Sequence, residues 1–210
     1  MNYDLDKLDM SDRNRRHLII FVKNRTVGNV KTRLAATVGN EKALRVYNRL
    51  LELTSQATEN IDAAKIVSYS IHLETGDQFD ESNYQKTVQS GGDLGDRMKN
   101  AFEQSFSSGC KEVVLIGSDC PDISESVIKK GFRELKRCDC VIGPAEDGGY
   151  YLIGLSRCIP QLFEKMEWSV SSLLDETIKR LNGLSDSYTL LPVLNDIDDE
   201  EDLKRSRLKL

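Results

Sequence analysis

The chain has 210 residues and a formal charge of −5, with 39% apolar and 30% charged residues. That length suits one sizeable core, and the net negative charge argues against a nucleic-acid surface, which needs Lys and Arg gathered on one face. No apolar run approaches the roughly 20 residues of a spanning helix, and the opening MNYDLDKLDMSDRNRRH is too charged for a secretion signal, so a cytoplasmic protein with a small-molecule partner, no nucleic acid and no membrane span is expected.

In chain order, residues 1–16 read as a mobile arm, and HLIIFV at 17–22 as a strand buried on both faces. The segment 41–58 has helical periodicity through Leu44, Tyr47, Leu50, Leu51 and Leu53; a strand is expected at 65–71 and an exposed acidic loop at 73–83. A helix over 93–106, capped by Asp93, carries Leu94, Met98, Ala101, Phe102 and Phe106 on one face. The strand EVVLIGS at 112–118 precedes a helix over 124–136 capped by Ser124; strands follow at 140–144 and 150–155, then a helix over 171–181 and a weak strand at 188–193. Alternating strands and helices imply an α/β fold, a three-layer α/β/α sandwich around a mainly parallel sheet, in one domain spanning 17–210. Ligands of such sheets bind at the carboxyl ends of the strands, where the polar motifs fall.

The five cysteines, Cys110, Cys120, Cys138, Cys140 and Cys158, have only His17 and His72 as imidazole companions, and Cys138 and Cys140 are spaced C-x-C; buried free thiols are expected rather than a structural metal.

After the first strand comes KNRTVGNVKTRLA, with Lys23, Arg25, Lys31 and Arg33 around Gly28. Cations and free backbone N–H groups near a helix start favour a polyphosphate, although the P-loop spacing is absent; alone, the segment reads equally as a basic surface loop. QSGGDLGDRM places Gly92, Asp93 and Arg97 at a helix start, which a capped turn also explains. VVLIGSDCPD sets Asp119 at the tip of a buried strand, where an unpaired acid is costly to desolvate unless paired or bound to a cation; oxygen ligands suit Mg²⁺ or Mn²⁺. In GPAEDGGYYLIGL, Glu146, Asp147, Gly148 and Gly149 are read either as a ligand-facing turn with a general base or as a hairpin turn. NDIDDEEDL offers Asp196 or Asp198 to a metal and also reads as an acidic helix start.

Taken together and in this order, the motifs Gly28-x-Val30-Lys31-Thr32-Arg33, Gly92-Asp93-Leu94-Gly95-x-Arg97, IGSDCP, DGGYYLIGL, Trp168-Ser169 and DIDDEEDL resemble the small bacterial nucleotide-diphospho-sugar transferases of GT-A fold associated with radical-SAM and selenium domains. The resemblance covers about His17 to Leu203, and the group is similar to guanylyltransferases of phospholactate and molybdenum-cofactor metabolism. It implies a glycosyltransferase taking a nucleotide-sugar, or alternatively a nucleotidyltransferase releasing pyrophosphate from an NTP, each with a small-molecule acceptor; an idle nucleotide-binding subunit is the third reading. It implies that Lys23, Gly28, Lys31 and Arg33 hold phosphate, that Gly92, Asp93 and Arg97 line the nucleotide pocket, and that Asp119 and Asp198 bind Mg²⁺ or Mn²⁺. Asp147, Gly148, Gly149 and Trp168 would face sugar or acceptor, with Asp147, Glu146 and Lys31 as catalytic groups. The chain departs from the pattern at Arg25 and Val27, where prolines are common, and at Asp199, which replaces a threonine.

Overall fold

In the computed structural model, which describes residues 15–206 and 208–210, Leu18, Ile20 and Val22 join one apolar cluster while Ile19 and Phe21 join another. Successive strand side chains point to opposite faces, so a strand buried on both sides must be covered twice. The strands are β1 (Arg16–Val22), β2 (Ala64–Tyr69), β3 (Gln85–Val88), β4 (Glu112–Ile116), β5 (Cys140–Pro144), β6 (Tyr150–Leu155) and β7 (Tyr188–Leu190). They form one sheet in the order β3-β2-β1-β4-β6-β5-β7, with β6 antiparallel to both neighbours and every other pairing parallel.

The helices are α1 (Thr32–Val38), α2 (Asn40–Thr58), α3 (Leu94–Ser107), α4 (Glu125–Glu134), α5 (Leu173–Leu184) and α6 (Glu200–Arg205), with a 3₁₀ turn at Pro160–Leu162. Tyr47 and Leu51 of α2 and Ile128 and Phe132 of α4 cover one face; Met98 and Phe102 of α3, Leu162 and Phe163 at the 3₁₀ turn, and Leu181 of α5 cover the other. A third cluster joins Leu34, Val46 and Leu50 to Ile197, tying the end of the chain to α1 and α2. The expected α/β/α sandwich with a mainly parallel sheet is the observed fold.

The expected arm lies outside the described residues up to position 14, and Arg16 already belongs to β1, where its Nε is 2.8 Å from Glu112 Oε2. Two further elements differ from expectation. β3 is an edge strand whose QKTV is largely exposed or half-buried, so no apolar pattern announces it. The acidic loop at 73–83 is not a solvated excursion: Asp77 accepts from Lys86 Nζ at 2.8 Å, and Phe79 is buried edge-on against Tyr84 with ring centroids 5.3 Å apart. The cysteines are free, with Cys110, Cys120 and Cys140 buried, and burial pushes the Cys120 thiol up to about 12. Among the described residues no helix is long and apolar enough to cross a membrane.

Candidate functional site

At the carboxyl edge of the sheet, the ends of β1 and β4 meet the start of β6, since β6 runs the other way. A cleft of about 600 Å³ opens there. Each side of it is assembled from a motif whose local structure explains its placement.

Beyond β1, Tyr47 of α2 fixes the chain: its hydroxyl accepts from Lys23 N–H at 2.7 Å and donates to the Lys23 carbonyl at 3.0 Å. Arg25 is then drawn away from the cleft by Glu74, whose carboxylate takes the Arg25 backbone N–H at 2.7 Å and its Nε at 2.5 Å. Burial would raise the Glu74 carboxyl, but hydrogen bonds from Arg25 and Asn24 carry it below the usual range. The loop closes at Lys31, which precedes α1 in the left-handed region (φ 49). That conformation costs a residue with a Cβ about 1 kcal/mol. It delivers the ammonium into the cleft, where Lys31 Nζ pairs with Asp119 and lies 3.3 Å from Asp198 Oδ1; Arg33 pairs with the other oxygen of Asp198. Burial lowers the Lys31 ammonium, and the charges of Asp119 and then Asp198 outweigh it, so the net displacement is upward.

Asp119 follows β4 through Gly117 and Ser118. Desolvation raises its carboxyl, but Lys31 opposes this by charge and hydrogen bond, with Lys23 adding to the effect, and the balance falls below the ordinary value. The Asp119 carbonyl accepts from Ile197 N–H at 3.0 Å. This bond lays the extended segment 195–198 beside β4, and residues two apart in extended chain share a face, so Asp196 and Asp198 come to Asp119 together. Their situations differ. Asp198 is engaged by Lys31 and Arg33, whereas the buried Oδ1 of Asp196 has no hydrogen-bond partner. Desolvation first, then the charge of Asp119, pushes Asp196 up to about 7, with Lys31 opposing and Asp198 and Asp147 adding.

The third side is the turn from β5 to β6. It is a hairpin connection with an irregularity at Gly143/Pro144, and it also faces the cleft, so the two sequence readings of this motif hold together. Asp147 Oδ1 accepts from Gly149 N–H at 2.9 Å. Gly148 sits at φ +88, and a Cβ there would lie 2.0 Å from the Ser171 carbonyl oxygen, so only glycine permits the close approach.

Of the expected site residues, Lys23, Lys31, Arg33, Gly92, Arg97, Asp119, Asp147, Gly149, Trp168 and Asp198 line one cleft. The others are placed elsewhere. Gly28 forms the turn in which Asn29 N–H bonds the Thr26 carbonyl. Asp93 is the N-cap of α3, accepting from Asp96 N–H at 2.8 Å. Glu146 points outward, 3.6 Å from Arg205, and Gly148 packs under Ser171. The departure at Asp199 has a local reason: it caps α6 in a capping box with Asp202, a task aspartate performs as well as threonine. Sequence reasoning passed over Gln89 and Ser70, which line the cleft beyond β1. Gln89 accepts from Arg97 Nη1 at 3.3 Å and donates to the Ser68 carbonyl at 2.9 Å; an isolated Gln after an exposed strand gives no signal.

Among the described residues, no three His, Cys, Asp or Glu side chains converge as ligands of a metal ion. A Mg²⁺-like ion commonly takes only one or two carboxylates and completes its shell with water and phosphate oxygens. Asp119 with the unpartnered Asp196 fits that donor set.

The chain is similar over 90% of its length to 84% of a protein from Desulfovibrio desulfuricans G20 assigned provisionally as a nucleotide-diphospho-sugar transferase, with 33% identity and a TM-score of 0.82. It shares its fold with 4-diphosphocytidyl-2C-methyl-D-erythritol synthase of Anaerococcus prevotii DSM 20548 (13% identity, TM-score 0.55, 94% of this chain and 96% of that one). The same holds for Rv0371c of Mycobacterium tuberculosis H37Rv in complex with manganese (12% identity, TM-score 0.52, 91% and 97%). No curated protein sequence matches it. The profile of the family DUF2064, described as uncharacterized protein conserved in bacteria, matches residues 53–170, more than half of the chain, and the chain belongs to that family.

Proposed function

We propose that this chain is a divalent-metal-dependent transferase that binds a nucleotide diphosphate-sugar and passes the glycosyl group to an acceptor hydroxyl. The observation that carries the proposal is the meeting of Lys31, Arg33, Asp119, Asp196 and Asp147 in one cleft at the sheet's carboxyl edge. A diphosphate can lie beside these carboxylates only if their charge is compensated. Mg²⁺ or Mn²⁺ on Asp119 and Asp196 would supply that compensation and polarise the phosphate oxygens. A protein of the same fold is known in complex with manganese. Lys31 and Arg33, at the cleft mouth beside α1, would hold the phosphates, with Lys23 lining the same cleft.

In the transfer, the bond from the sugar's anomeric carbon to the diphosphate breaks and one to the acceptor oxygen forms. Asp147, exposed and lining the cleft, accepts the acceptor's proton, and Lys31 and Arg33 stabilise the negative charge on the leaving diphosphate. Gly149 leaves room for the sugar beside the start of β6. Asp198 orients the two cations.

The test is thermal unfolding with Mg²⁺ and a panel of nucleoside diphosphates, nucleotide-sugars and NTPs. A nucleotide at about 100 times its Kd adds about 2.7 kcal/mol, on the order of 5–10 °C for a domain of this size. The expected result is a shift that requires both nucleotide and metal and is lost in Asp119→Asn, with nucleoside diphosphate released on turnover. Pyrophosphate released from an NTP instead would reassign the chain to nucleotidyl transfer, and an equal shift in Asp119→Asn would remove Asp119 from the metal site.

A further inference from the structure

With phosphates at Lys31 and Asp119, the cleft extends in two directions. Towards β2 and β3 it is polar, lined by Ser70, Gln89, Gly92 and Arg97. Towards the start of β6 it changes character. There its wall includes Tyr150, Trp168, Val170 and Leu173, and Leu94 at the start of α3, whose neighbour Gly95 abuts Trp168. Leu94 and Val170 are exposed although they are aliphatic, and apolar side chains gathered in a cleft mark ligand contact.

The wall is built rather than incidental. A Cβ on Gly95 would lie 2.6 Å from Trp168 Nε1, so the first turn of α3 is a seat for the indole. Ser169, between Trp168 and Val170, holds a left-handed conformation (φ 60), an unfavourable geometry for serine that the surrounding structure must enforce. The Gly148 carbonyl accepts from Leu174 N–H at 2.9 Å, locking the Asp147 turn to the same segment.

Charge is equally one-sided. Among the described residues the cations lining the cleft are Lys23, Lys31, Arg33 and Arg97. Lys31 and Arg33 face Asp119 and Asp198, and Arg97 reaches to Gln89 at the end of β3. The Trp168 end contributes no cation and adds Asp147. An acceptor bearing phosphate or carboxylate would meet a carboxylate and no counter-charge there.

We infer that the acceptor is an uncharged hydroxyl compound with an apolar body, packed between Trp168, Val170 and Leu94 with its hydroxyl towards Asp147. This rests on the transferase reading and narrows it, because an acceptor of nucleotidyl transfer would bring an anionic phosphate to this end.

Trp168 is the single tryptophan of the chain, so its emission reports on this wall directly. The protein, with Mg²⁺ and UDP or GDP present, is titrated with benzyl alcohol, benzyl phosphate and glycerol. Benzyl alcohol is expected to change Trp168 emission saturably, benzyl phosphate to bind at least about tenfold more weakly, and glycerol to have no effect. Val170→Asp, at an exposed position that tolerates charge, should weaken benzyl alcohol about tenfold relative to any change in nucleotide affinity, and Leu94→Asp should repeat the effect. Benzyl phosphate binding as tightly as benzyl alcohol overturns the inference. So does emission that responds to the nucleotide alone and excludes benzyl alcohol, which would make the wall a base platform, and so does no response to any probe while nucleotide still raises the melting temperature. Failure of every nucleotide to raise it counts against the transferase reading, a result separate from these.

Discussion

Lys86 and Lys31 each hold an aspartate, and the contrast between the two pairs shows how a structural ion pair differs from one set in a working cleft. Lys86 and Asp77 have side chains 7% and 1% exposed and lie 2.8 Å apart. Their remaining capacity is used: Lys86 also donates to the Glu74 carbonyl at 2.9 Å, and Asp77 accepts from Phe79 N–H and the Tyr69 hydroxyl. In the second pair Lys31 is 4% exposed but Asp119 is 35% exposed. Lys31 faces three carboxylates, Asp119, Asp196 and Asp198, with Arg33 also on Asp198, and Asp196 keeps an unmet buried oxygen. The first arrangement is complete as it stands. The second keeps an unmet buried acceptor and an opening to solvent, which is what a bound ligand or a metal ion would complete.

The largest effect is expected from breaking the complete pair. Lys86→Met leaves Asp77 charged, buried and without its cation, and should lower the free energy of unfolding in urea by about 3–5 kcal/mol. Added Mg²⁺ should return none of that loss. A change below about 1 kcal/mol would mean that Asp77 finds another partner or water.

Asp196 gives the next effect, with a sign that identifies it. Its carboxyl is held up to about 7 in the folded chain, against about 3.9 unfolded. Folding therefore favours the protonated form: the stability tied to this group is complete below the unfolded value and is lost as pH rises through 7. Asp119, Glu74 and Asp202 are displaced downward and act oppositely, losing stability as pH falls, so only a comparison with a variant isolates the term. In chelator, Asp196→Asn should gain on the wild type by about 2–3 kcal/mol between about pH 5 and pH 8. Parallel pH profiles would show that Asp196 is compensated in solution.

Lys31→Met tests the incomplete pair. Because Asp119 is a third exposed, water takes up part of the charge, and the loss should be about 2 kcal/mol, less than for Lys86→Met. Here Mg²⁺ should restore more stability than it gives the wild type, since the ion meets carboxylates that no lysine contests. Equal metal response in both proteins would mean that Lys31 and the metal use different oxygens.

The sequence carried the doubly buried strands β1, β4, β5 and β6 because each is an unbroken apolar run. It did not carry β3, whose place depends on main-chain pairing with β2 at an exposed edge, and it marked a helix start after the basic loop without the extent of α1, where Leu34 is the one fully buried residue. In the site, the basic loop, the strand-tip acid and the glycine turn were legible as separate motifs at strand ends. Their mutual state was not. Lys31 reads equally as a phosphate ligand and as a surface cation, and its pairing with Asp198, 167 positions away, is visible only in the fold. Glu146 and Asp147 are equivalent on paper, and only the turn decides that one lines the cleft while the other meets Arg205. The motif offered Asp196 and Asp198 alike; Ile197 N–H bonding to the Asp119 carbonyl brings both in, and the ion pairs leave Asp196 as the one with an unmet oxygen.

Arg33 is the mildest probe of the comparison and separates binding from stability most cleanly. Its side chain is 73% exposed and its pair with Asp198 lies at the cleft mouth, where a surface ion pair contributes about 0–1 kcal/mol. Arg33→Ala should change unfolding in urea by less than about 0.5 kcal/mol. A guanidinium facing a diphosphate makes charge-assisted hydrogen bonds worth about 1.5–3 kcal/mol, so nucleotide affinity should fall about tenfold or more in the same variant. Arg33→Lys should recover only part of it, because an ammonium cannot present the paired N–H geometry that phosphate oxygens accept. If affinity is untouched while stability falls, Arg33 serves only to hold α1 against the 195–198 segment, and the phosphate grip rests on Lys31 and Lys23.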